Sequence, residues 1–243
     1  MATEGLLKRL YREELAAWRD HYRRYFKYAA RALGLGFVGH FFLFSLWPSG
    51  EQKALDLVVN ALKDVRLEGP APLLALTLFY NNVRASVVAV AAGIVPFLFL
   101  PILDAFINGG VLGLVVSISR HQGLDVPHLV LTQILPHGVF ELTALIYTTS
   151  VGMYLSAEMG TKAVAAWKRR SGTSTQGTSP HACQAPNHQA PAAPLEFQET
   201  CPERLAANPP GLARNVVRSF VLVVLPLLLV AAAIEGFITP HLR

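Results

Sequence analysis

Residues 219–238 read SFVLVVLPLLLVAAAIEGFI, a run of 20 residues in which the only charged side chain is Glu235. At 1.5 Å of rise per residue, a helix of about 20 apolar residues spans the roughly 30 Å hydrocarbon core of a bilayer. Four further apolar blocks lie at 29–47, 72–94 and 96–118, then 129–153, so that with 216–238 the chain carries five candidate spans. The composition agrees with lipid rather than water as the main solvent. Of the 243 residues, 52% are hydrophobic and only 15% charged, where soluble domains carry about 25%; the mean hydropathy is +0.38.

The expected fold is therefore all-α, a polytopic membrane bundle of about five transmembrane helices. Residues 1–28 form an expected amphipathic basic helix, 29–160 hold spans one to four, 161–214 are an insertion, and 215–243 hold span five. No segment outside the spans is long enough for a catalytic domain, so the sequence predicts no enzyme. In 1–28, Leu7, Tyr11, Leu15, Trp18, Tyr22 and Phe26 recur at steps of three or four, one stripe on a helix. Lys8, Arg9, Arg12, Arg19, Arg23, Arg24 and Lys27 fill the remaining surface, which suits an anionic leaflet or docking on the protein's own loops. The first block starts late and ends at Leu46, Trp47 and Pro48 without a small-residue cleavage site, so it is expected to stay as an anchor.

Lys and Arg set the orientation. Of the 21, 15 fall on the side of the N-terminus, 5 on the other side, and Arg84 within a span. That asymmetry predicts a cytoplasmic N-terminus and a C-terminus outside. The net charge of +5 is explained by these flanks, with the lipid bilayer as partner, and no nucleic-acid partner is expected. The stretch 171–211 is rich in Ser, Thr, Gln and Pro and cannot supply a packed core, so it is expected to be disordered. Its His181, Cys183, His188 and Cys201 fit no standard metal spacing, and no structural disulfide, metal or cofactor is expected.

Polar residues inside the spans are the informative departures, because an ionisable group at a helix centre costs about 2.5–3.5 kcal/mol on insertion scales. Arg84, Asp104, Glu141 and Glu235 are such groups, with His137 beside Glu141. Arg84, Asp104 and Glu141 each fall about 18 Å below the outer surface by helical rise. Asp104 and Asn108, like His137 and Glu141, are four apart and share a face; Asn81 stands three before Arg84. The three polar stripes are expected to face one another, as a structural ion-pair lock, as a site for an ion, lipid or small polar substrate, or as an enzymatic centre. Gly109 and Gly113 form a Gly-x-x-x-Gly, and Gly138 follows His137, so close packing is expected there. Pro136 frees a backbone carbonyl near His137, and Pro96 and Pro101 do so near the start of span three.

Four segments carry a family resemblance: Phe79-Tyr80-Asn81-Asn82, then 107–113 (INGGVLG), 135–142 (LPHGVFEL), and the C-terminal 225–240. They resemble the stage II sporulation protein M family, in its wider branch with the Pro-His-Gly-x-Phe-Glu block. The resemblance covers 72–153 and 214–240 and implies a multi-span protein of the cell (inner) membrane. It further implies a scaffold or assembly role in the cell envelope, with peptidoglycan-remodelling proteins as partners; an oligomer is compatible with it. The alternative reading is a transporter or channel-like protein with the polar residues lining its site.

The topology has a direct test. A cysteine inserted after Ser171 should resist a membrane-impermeant maleimide in intact cells and react once they are permeabilised; labelling in intact cells would overturn the orientation.

Overall fold

The structure, a computed structural model, describes residues 2–62, 70–171 and 211–239. The central part of the insertion, with His181, Cys183, His188 and Cys201, lies outside the described residues. Among those described there are helices and no strands. Helix α1 runs from Ala2–Ala17 through a π turn at Trp18–Tyr22 into Arg23–Leu46. Then come α2 (Pro48–Leu62), α3 (Ala71–Ala92) and α4 (Leu100–His121). Helix α5 joins Val126–Leu129, a π turn at Val130–Ile134 and Leu135–Arg170; α6 joins Leu212–Ser219, a π turn at Phe220–Val224 and Leu225–Phe237. All of these but α2 are long and apolar enough to cross a bilayer, and the chain is a helical membrane bundle.

The helix ends follow local chemistry. Helix α3 starts at Pro70-Ala71-Pro72, where the prolines sit before and inside the first turn and no amide hydrogen bond is lost. At the end of α4, Gly123 takes φ +71°, its N–H bonds the Arg120 carbonyl at 3.1 Å, and the Leu124 N–H reaches Ser119 at 3.0 Å; the left-handed glycine closes the turn. Asp125 then caps α5 by accepting the His128 N–H at 3.1 Å. Between α3 and α4 the chain makes a turn over residues 93–99 rather than one broken helix. There Phe97 and Phe99 hold φ of +69° and +44°, conformations that cost a side-chain-bearing residue free energy. The turn is held by α5: Ser156 Oγ donates to the Val95 carbonyl at 3.0 Å, and the Phe97 ring lies over Gly160.

Two of the π turns directly precede prolines, Pro136 and Pro226. A proline ring collides with the carbonyl four residues back, and one π turn moves that carbonyl aside without ending the helix. The third π turn has another effect. Glu14 and Ala17 before it, Tyr22 at its end, and Tyr25, Ala29, Ala32 and Gly36 after it are all buried, and the extra residue brings the two stretches onto one face. Residues 2–28 are thus not a separate helix lying apart from the first span. They continue it, and the buried stripe is offset from the predicted one: Leu7, Tyr11 and Leu15 are exposed, whereas Tyr22 is fully buried.

Contact between helices relies on small residues. Helices α1 and α4 run parallel, and an added Cβ on Gly109 would stand 2.0 Å from the Leu33 carbonyl oxygen, one on Gly113 2.4 Å from that of Phe37, and one on Gly36 2.1 Å from that of Phe106. The predicted Gly109 and Gly113 pair therefore packs against span one rather than among the polar spans. Helix α5 is enclosed on every side from Tyr147 to Ser156; its Gly152 meets Pro101 and Ala89, and Gly93 meets Gly152. Leu76, Leu103, Leu131 and Leu229 point outward and are exposed, as lipid-facing side chains are.

Gly109→Ala should force the α1–α4 seam apart and cost about 1–3 kcal/mol, the usual range for overpacking. Gly39, which has nothing within 4 Å of its added Cβ, is the control. Thermal unfolding in detergent should fall for Gly109→Ala and hold or rise for Gly39→Ala.

Candidate functional site

Helices α3, α4 and α5 surround a cavity of about 240 Å³ in the middle of the bundle, floored by Leu228 of α6. Asn82 and Ser86 reach it from α3, Asp104 and Asn108 from α4, and His137, Gly138 and Glu141 from α5. The helix period explains the set: Asp104 and Asn108 are one turn apart on α4, His137 and Glu141 one turn apart on α5. Asn108 Nδ2 donates to the Asp104 carbonyl at 2.9 Å and to its Oδ1 at 3.2 Å, fixing the two as a unit. The Asn82 side chain interacts with the Glu141 carboxylate. Glu235 comes in from α6, and one ligand atom each of His137, Glu141 and Glu235 lie within 4.8 Å of one another.

Not all the predicted residues meet there. Arg84 and Asn81 line a second hollow on the other side of Asp104, with Ala61 of α2, Ala92 and Pro101. Arg84 is exposed on the surface of the bundle, and among the described residues no carboxylate lies within 4.0 Å of it. The predicted lock between Arg84 and Asp104 or Glu141 therefore does not form within the described chain. The reason is rotational: Arg84 stands two residues from Asn82, about 200° around the helix. The carbonyl region freed by Pro136 does not serve His137 as expected either. His137 Nδ1 is sealed from solvent without a hydrogen-bond partner. Of the remaining candidates, Pro96 lies in the turn and Gly138 is buried beside the cavity.

The family model for stage II sporulation protein M matches residues 32–240. No curated protein matches, and no solved structure does.

Sequence reasoning missed a second polar centre, on the N-terminal side. Glu14, 4% exposed, accepts the Tyr147 hydroxyl at 2.5 Å and the Ser219 hydroxyl at 2.6 Å on Oε1, and Arg218 Nε at 2.9 Å on Oε2. Arg218 also donates to Glu13 at 3.0 Å, and Ser219 Oγ lies 3.2 Å from the Tyr22 hydroxyl. The network ties α1 to α5 and α6. Its one signal in the sequence was position: Glu14 stands three after Tyr11 and four before Trp18, on the apolar stripe. On the other side of the bundle, Glu51 of α2 accepts Ser117 Oγ at 2.8 Å and pairs with His121 Nδ1 at 2.9 Å.

Removing one partner of a buried ion pair costs about 3–5 kcal/mol. Glu14→Ala should lie at the low end of that range, since Glu13 still holds Arg218, and should lower the melting temperature of the purified protein clearly. Glu4→Ala, which breaks only the exposed Lys8 pair, should leave it unchanged.

Proposed function

Because the chain belongs to the stage II sporulation protein M family, we propose that it is an integral membrane scaffold that assembles partner proteins of the cell envelope through a surface inside the bilayer. The observation that carries this reading is Arg84. It lies in the middle of the α3 span, exposed, with no carboxylate within ion-pair distance among the described residues. A guanidinium facing lipid is costly, by about 2.5–3.5 kcal/mol on insertion scales, and a partner helix bearing a carboxylate removes that cost. The helix face around it is fitted to such a contact: Val88, one turn on, is 61% exposed and lines the same hollow as Arg84 and Asn81. Envelope proteins that remodel peptidoglycan are the partner class that the family suggests.

A second reading has its own observation. The cavity of about 240 Å³ beside Asp104, His137 and Glu141 has the size and polarity to hold an ion or a small polar solute, and broken helices at polar depth are how transporters form sites.

One experiment separates them. A photo-crosslinking amino acid at position 88 should yield a heterotypic adduct of defined mass in cells, and Arg84→Leu should reduce that adduct at least about fivefold, an effect of roughly 1 kcal/mol, at equal protein abundance. No adduct, or one indifferent to Arg84→Leu, overturns the scaffold. Solute uptake into proteoliposomes that Glu141→Gln abolishes would favour transport.

A further inference from the structure

The geometry points to a divalent transition-metal site formed by His137, Glu141 and Glu235, in the bilayer and independent of the docking face around Arg84. The three residues come from two helices far apart in sequence, yet their ligand atoms lie within 4.8 Å of one another. Donors about 2.0–2.2 Å from a tetrahedral zinc ion are roughly 3.4 Å apart, so closing the set takes a side-chain movement of about 1 Å. The cavity that Glu141 and His137 line gives room for the ion and for a water or solute as a further ligand.

Charge decides what belongs there. Glu141 and Glu235 repel one another, and among the described residues neither Lys nor Arg lines the cavity beside Glu141. Two unit charges of like sign about 4 Å apart repel by about 4 kcal/mol even at an effective dielectric of 20. A divalent ion between them turns that repulsion into attraction, and a neutral imidazole adds a bond at no charge. His137 supplies the second, independent observation, since its Nδ1 is buried without a hydrogen-bond partner. An imidazole with two carboxylates selects first-row ions such as Zn²⁺ or Mn²⁺ over Mg²⁺ or Ca²⁺, which prefer oxygen throughout. Asn82, beside Glu141, is placed to orient that ligand. Asp104, exposed enough to line both hollows, adds an attracting charge at the rim.

The test uses the full chain in detergent, with Cys183→Ser and Cys201→Ser to remove thiol competitors. After chelator treatment and reloading with Zn²⁺ or Mn²⁺, the protein should retain about one ion per chain by elemental analysis, and Mg²⁺ in excess should not displace it. Glu141→Gln and Glu235→Gln should each weaken binding by tenfold or more, on the scale of metal-site mutations, whereas Asp104→Asn should retain one ion per chain. Where a variant fails to fold, X-ray absorption of the zinc-loaded parent decides: one imidazole and oxygen neighbours support the site. Absence of a retained ion overturns it, as do affinity unchanged by Glu141→Gln and a first shell without imidazole.

Discussion

Lipid gives apolar side chains no reason to prefer one another over acyl chains, so helices in a bilayer hold together where their backbones touch and where polar groups pair. The seams of this bundle follow that constraint. At the α1–α4 seam, glycines bring each backbone against the carbonyls of the other. Around α5, five of the ten residues from Tyr147 to Ser156 are small: Thr148, Thr149, Ser150, Gly152 and Ser156. Ser150, Thr148, Thr149 and Ser156 are fully buried, small enough to allow contact from every direction.

The polar pairs sit at the two ends of the bundle and in its middle, and they differ in kind. At one end Glu14 is saturated by Arg218, Ser219 and Tyr147; at the other Glu51 holds Ser117 and His121. Both are closed networks that fasten α1, α5 and α6, or α2 and α4. In the middle the groups are left with unequal means. Among the described residues the acids of the cavity share it with His137 but with no Lys or Arg, and Arg84 faces outward. The positive charge of Arg84 and the carboxylates of the cavity thus stand at different hollows of the bundle.

Much of this could be read from the sequence because membrane helices announce themselves by length and apolar content: the five blocks correspond to the five long helices. The polar stripe was equally legible where it depended on one helix, as with Asp104 and Asn108 or His137 and Glu141. What depended on rotation between helices was not. Arg84 and Asn82 are neighbours in sequence but face different hollows, and Glu235 could be noted as an intramembrane acid yet not placed beside Glu141. Glu14 was hidden by its setting among basic residues, although its register on the apolar stripe marked it.

Helix α1 has one further property that follows from its continuity. It is a single rod from residue 2 to residue 46, longer than the bilayer is thick, and it is interrupted only by the π turn at Trp18–Tyr22. At one end of this rod the Glu14 network binds α5 and α6, and further along the glycine seam binds α4, so a single element joins the other three.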